Sequence, residues 1–142
     1  GDDIILGERG RDRISGQNGN DTVSGGVAAD NISGGNGDDV LDGNDGNDRI
    51  IGNGGNDTMN GGAGRDVMNG LSGNDTMSGG SENDRLIGGA GLDDMSGDDG
   101  NDILQGGSSA DQLDGGDGTD NLNGNGGIDT CINGEINRSC EL

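Results

Sequence analysis

Residues 34–42 read Gly34-Gly35-Asn36-Gly37-Asp38-Asp39-Val40-Leu41-Asp42, and the same nine-place pattern can be laid along nearly the whole chain. Its places are Gly, Gly, x, Gly, x, Asp, x, apolar, x. The sixth place is filled in unbroken register by Asp3, Asp12, Asp21, Asp30, Asp39, Asp48, Asp57, Asp66, Asp75, Asp84, Asp93, Asp102, Asp111, Asp120 and Asp129. The eighth place runs Ile5, Ile14, Val23, Ile32, Leu41, Ile50, Met59, Met68, Met77, Leu86, Met95, Leu104, Leu113, Leu122 and Cys131, with no polar residue among them. Glycine holds the first place from Gly7 to Gly124. A fixed short period is the mark of stacked repeat units, each adding one element to a continuous core.

Composition says what such a stack lacks. The chain has 142 residues, 36 of them Gly, with no Pro, His, Phe, Tyr or Trp. Only a quarter of its residues are apolar, and its formal charge is −21 from 28 acidic residues against 7 basic ones, all arginine. Such a chain on its own reads as disordered, because burial cannot offset the entropy of ordering. A partner for so much negative charge is a cation rather than nucleic acid, an anionic membrane or an acidic substrate, and a divalent metal suits it best. No apolar stretch is long enough to span a bilayer or form a signal-peptide core. The chain begins at Gly1 in mid-motif, so a mature product or a piece of a larger protein is expected.

The pattern Gly-Gly-x-Gly-x-Asp-x-(apolar)-x resembles the hemolysin-type calcium-binding repeat of RTX proteins and serralysin-like proteases, and the resemblance covers residues 1 to 132. It implies an all-β fold, a parallel β-roll (β-solenoid). In that family six residues form a turn, three form a short strand, and two nonapeptides make one coil of about 18 residues. Turns then alternate between two edges, one carrying Asp3, Asp21, Asp39 and every second register aspartate to Asp129, the other Asp12, Asp30, Asp48 and so on to Asp120.

The residue types suit the implied ligand. Calcium takes six to eight hard oxygen donors. Glycine at the first, second and fourth places is expected to let the backbone turn through positive φ and aim its carbonyls inward. One carboxylate and a few carbonyls make part of a shell, and a neighbouring turn must complete it. The resemblance assigns all fifteen register aspartates as carboxylate ligands, with loop carbonyls such as those of Gly16, Gly19, Gly34, Gly37, Gly43, Gly46, Gly52, Gly55, Gly97, Gly100, Gly115 and Gly118. Sandwiched gaps allow up to about 13 Ca²⁺, whose +26 would offset the chain's −21. Without metal, aspartates stacked about 4.8 Å apart repel by roughly 0.9 kcal/mol per pair in water and about 3.5 at an effective dielectric near 20. The apo roll is not expected to form.

Some repeats depart from the pattern. The fourth place is Ala28, Glu82 and Ser109, where positive φ would be strained. Leu92, Ala110 and Ile128 replace the commoner Asn or Asp of the fifth place, and Arg11 and Arg65 also stand there. Fewer than 13 well-occupied ions are therefore expected, with the cleanest loops around Asp21, Asp39, Asp48, Asp57, Asp75, Asp102 and Asp120. Met59, Met68, Met77 and Met95 read as core packing, and Arg13, Arg49 and Arg85 as a solvated outward column.

The period fails after Cys131. Two cysteines in a chain otherwise free of them predict a Cys131–Cys140 disulfide rather than two free thiols, closing residues 133–142 as a cap over the end of the roll. A disulfide and calcium dependence both point to a secreted, extracellular setting. The tail does not resemble the uncleaved secretion signal usual in RTX proteins exported by the type I route, which leaves the export route open. The chain lacks the nucleophile, base and open metal site of an enzyme, and no catalytic activity is expected. The expected role is structural, folding or secretion-assisting, in a monomer linked to an upstream domain. The alternative is surface adhesion or ice binding through an outward face where Thr22, Thr58 and Thr76 align.

Overall fold

The computed structural model describes residues 1–140, and Glu141 and Leu142 of the expected cap lie outside the described residues. Places seven to nine of each repeat are extended, so their side chains alternate across the chain and only the apolar eighth place points inward. That face cannot be buried by one repeat alone. It is buried by winding: each strand pairs in parallel with the strand eighteen residues on, as in Val23↔Leu41 and Leu41↔Met59.

Two parallel sheets result. One begins at Ile4–Leu6, continues through Thr22–Val27 and Val40–Asp45, and ends at Thr130–Ile132. The other begins at Arg13–Asn18, continues through Asn31–Asn36 and Arg49–Gly54, and reaches Asn121–Gly126 and then Ile136–Arg138. No helix occurs among the described residues, and none is long and apolar enough to cross a membrane. The molecule is the expected all-β parallel β-roll with about 18 residues per coil.

Between the sheets lies a single layer of side chains, Val23, Leu41, Met59, Met77, Met95, Leu113 and Cys131 from one side and Ile32, Ile50, Met68, Leu86, Leu104 and Leu122 from the other. All thirteen are at most 3% exposed, whereas Ile5 and Ile14 in the first coil are only partly buried. The four methionines are core, as expected. Full burial of such a side chain contributes roughly 1.5 to 3 kcal/mol. One per repeat is little support for nine ordered residues.

Two details differ from the expected coil. The strands are mostly six residues long rather than three, because the ladder resumes beyond the first-place glycine, as in Gly26↔Asn44 and Val27↔Asp45. The turn's first half is thus part of the sheet edge. Moreover, within residues 1–132 positive φ falls only at the second and fourth places, as at Gly35 (124°) and Gly37 (129°), and first-place glycines do not adopt it; in the tail Asn133 and Ser139 do, both at 52°. Their requirement is steric and belongs to the site described below.

The outward rows follow the expected register. Thr22, Val40, Thr58, Thr76, Asp94, Gln112 and Thr130 align on one face, so the threonine row is broken as its sequence implies. Arg13, Asn31, Arg49, Val67 and Arg85 align on the other.

Ala28, Glu82 and Ser109 keep the fourth-place turn at φ of 97°, 81° and 87°, a conformation that costs a side-chain-bearing residue about 1 kcal/mol or more. Replacing each by glycine should therefore stabilise the calcium-loaded roll by about 1 kcal/mol per site, nearly additively. Chemical denaturation of Ala28→Gly and of the triple variant checks this, and an unmoved or lowered midpoint would contradict it.

Candidate metal centre

The sixth-place aspartates arise where each turn hands over to its strand, so winding stacks them in two files along the roll's edges. In each file one carboxylate oxygen is used in the same way. The backbone N–H of Asp39 donates to Oδ1 of Asp57 at 2.9 Å, that of Asp57 to Oδ1 of Asp75 at 2.8 Å, and that of Asp75 to Oδ1 of Asp93 at 2.9 Å. The opposite file repeats the bond from Asp12 to Asp30 and onward to Asp120, each aspartate joined to the one eighteen residues later. The two-edge alternation is thereby visible in the bonding.

The second oxygen has no partner. Oδ2 of every register aspartate from Asp12 to Asp129 is buried and accepts no hydrogen bond. Asp21 through Asp129 are at most 3% exposed as whole residues. Asp12 is half-buried and Asp3, in the first coil, is exposed. A buried carboxylate oxygen without a donor is costly unless a proton or a cation reaches it.

What lies beside Oδ2 decides between them. A Cβ placed on first-place Gly43 would lie 2.5 Å from Asp48 Oδ2 and 2.6 Å from the carbonyl oxygen of Gly61 in the next coil; on Gly61 it would lie 2.5 Å from Asp66 Oδ2 and 2.5 Å from Gly79 O. The first place is glycine because two oxygens, a carboxylate of its own turn and a carbonyl of the next coil, crowd its Cα. Both oxygens are acceptors, so neither can satisfy the other, and a cation suits the pair. Among the predicted carbonyl ligands, those of Gly34, Gly43, Gly52, Gly97 and Gly115 face back toward the preceding first-place glycine in this way. Those of Gly19, Gly37, Gly46, Gly55 and Gly100 face forward toward the next fourth-place glycine. Carbonyls of Gly16 and Gly118, at the two ends, face no such glycine. The donor set is hard oxygen drawn from two successive turns, which fits calcium. Among the described residues no three acidic, cysteine or histidine side chains cluster as a metal-binding group, as expected where one carboxylate per turn is joined by main-chain carbonyls.

A family profile described as RTX calcium-binding nonapeptide repeat (4 copies) matches residues 1–32, 24–59, 33–68, 69–104 and 96–131. The chain belongs to this family. It is a calcium-binding RTX β-roll, and the family is one of structural modules. No curated protein matches the chain.

Sequence reasoning left one feature of the RTX roll unread. Fifth-place side chains form a second ladder, running opposite to the aspartate one. Asn20 Oδ1 accepts from the N–H of Asp38 at 3.0 Å, Asp38 Oδ1 from Asn56 at 2.7 Å, Asn56 Oδ1 from Asn74 at 2.8 Å, and Asn74 Oδ1 from Leu92 at 2.8 Å. It stops at Leu92, which has no acceptor to offer Ala110. The preference for Asn or Asp at that place was the available signal, and its cause is this bond. Ala28, Glu82 and Ser109 nevertheless keep their carbonyls aimed at the next turn, so the expected defect at these loops is one of strain and leaves carbonyl direction intact.

Burial pushes the register carboxyls from Asp39 to Asp120 of the metal-free RTX roll up. Asp57, Asp66, Asp75 and Asp102 rise to about 6 and Asp84 to about 7. Loss of hydration is the leading cause, partly countered by the N–H bond from the preceding coil and reinforced by neighbouring carboxylates. Against an ordinary value of 3.8, the folded state holds more protons than the unfolded one. Its proton-linked stability is full below about 4 and lost as pH rises through about 6 to 7. In chelator, acidification from pH 7.5 to 4.5 should therefore raise β-structure by circular dichroism, and a pH-independent spectrum would contradict this.

Asp57 is bonded to neighbouring coils on both sides, accepting from Asp39 N–H and donating its own N–H to Asp75. Asp57→Ala should lower bound calcium and loosen adjacent coils. Asp94→Ala, at an exposed outward position, should do neither. Equilibrium dialysis and amide exchange compare them, and equal losses would contradict the ligand assignment.

Proposed function

We propose that this chain is an extracellular module whose folding is driven by calcium, and that it serves a structural, folding or secretion-assisting role beside a covalently linked upstream domain. The observation that carries the reading is the file of buried, donorless Oδ2 atoms along each edge. The register aspartates Asp3 to Asp129 are its carboxylate ligands, and first- and fourth-place carbonyls complete each shell from the turn above or below. Bound Ca²⁺ supplies positive charge between the stacked carboxylates and fills their coordination.

The chain's own residues do the rest. Oδ1 and the N–H it binds lock consecutive turns at one spacing, so that each turn presents Oδ2 and carbonyl oxygens in a preset arrangement. The apolar file closes the interior against water, and glycine at the first place leaves the gap open. A ligand set assembled only by winding has no counterpart in the unfolded chain, so ion binding and folding form one equilibrium. In a cell interior poor in calcium the chain stays unfolded, and it folds where calcium is millimolar. Residues 1–132 are the metal-binding roll and residues 133–142 its disulfide-held cap. The Cys131–Cys140 bond and the RTX family both favour an oxidising, extracellular location. The module acts without catalysis, as a monomer, with calcium as its partner and neither nucleic acid nor a membrane span among its associations.

Calcium titration followed by circular dichroism tests the proposal. A spectrum of disordered chain in EDTA, a cooperative gain of β signal with Ca²⁺, and poor substitution by Mg²⁺, which holds its waters in a compact octahedron, are expected. Identical spectra in EDTA and calcium would overturn it.

A further inference from the structure

The aspartate register ends at Asp129, but the pattern of contacts does not. At the last turn of one edge the N–H of Asp120 donates to Oε2 of Glu135, where the N–H of Asp102 donates to Oδ1 of Asp120 at 2.8 Å. Ile136 N–H donates to Asp120 O at 3.1 Å, as Asn121 N–H does to Asp102 O at 2.9 Å, and Ile136 pairs with Asn121 in the sheet. Glu135 thus occupies the sixth place and Ile136 the seventh, fifteen residues after their predecessors instead of eighteen.

The other half of the arrangement is also present. A Cβ on Gly115 would meet Asp120 Oδ2 at 2.6 Å and the carbonyl oxygen of Asn133, which takes the part played elsewhere by the next first-place glycine. Asp120 is 1% exposed, and its Oδ2 has no hydrogen-bond partner. The turn from Asn133 to Glu135 is shorter than a nonapeptide turn, and the extra methylene of glutamate over aspartate gives its carboxylate the reach to return to the register.

We infer that Glu135 is a sixteenth register carboxylate, closing a terminal calcium site with Asp120 Oδ2 and the Asn133 carbonyl. The Cys131–Cys140 disulfide spans this turn, so the bond holds a metal-binding loop as well as the chain end. The inference rests on the calcium reading above and adds one gap to the aspartate-bounded ones.

Native mass spectrometry at saturating calcium counts ions as integers on a 14.0 kDa chain, and Glu135→Gln is the informative variant because its side-chain oxygen can still accept from Asp120 N–H. The expected result is one ion fewer than in the parent. Faster amide exchange should appear at Asp120 to Leu122 and at the tail, with central coils unchanged. An equal count with unchanged exchange, while the parent binds many ions, would overturn this inference alone. A loss of several ions would also overturn it, by assigning Glu135 a general structural part. A parent that binds none would overturn the calcium reading with it.

Discussion

Each register aspartate from Asp21 to Asp129 is half satisfied. Oδ1 is bonded to the N–H of the preceding coil, and that bond sets how closely the turns stack. The same stacking buries Oδ2 beside a carbonyl oxygen with no donor in reach. The bond that builds the edge therefore creates the deficit that a cation removes. Protonation removes it too, and burial raises the register carboxyls from Asp39 to Asp120 in the absence of metal, Asp84 to about 7.

The remaining features follow from that conflict. A core one side chain thick cannot by itself hold a stack of like charges, so the roll has little reserve to spend on unsatisfied carboxylates. Glycine at the first place is the steric condition for bringing Oδ2 and the neighbouring coil's carbonyl to one point. Opposed ladders at the fifth and sixth places tie consecutive turns in both directions along the axis. Since every coil touches only its neighbours, disturbance of one turn is felt locally, as in other solenoids.

Much of this was legible in the period. Nine-residue spacing of aspartate, glycine and apolar columns gives the inward file and the carboxylate register, because each column keeps one kind of side chain, and the resemblance to RTX repeats supplied the two edges. The departures concern backbone geometry, which a column of letters does not carry. Gly16 or Gly43 looks like any turn glycine, yet its role is to avoid two oxygens at ordinary φ. Six-residue strands were missed because the first half of each turn pairs through its backbone whatever its side chains. The fifth-place ladder was visible only as a preference for Asn and Asp. Glu135 was hidden most completely: it lies out of period, is a different residue type, and reaches its place through a shortened turn.

The most direct measurement is an anomalous difference map from calcium-grown crystals at long wavelength. The account predicts peaks in two rows between successive turns, each ion within about 2.3 to 2.6 Å of register Oδ2 atoms and carbonyl oxygens from both flanking turns. Gaps between well-ordered turns that hold no ion, with calcium found only on outward faces, would contradict it.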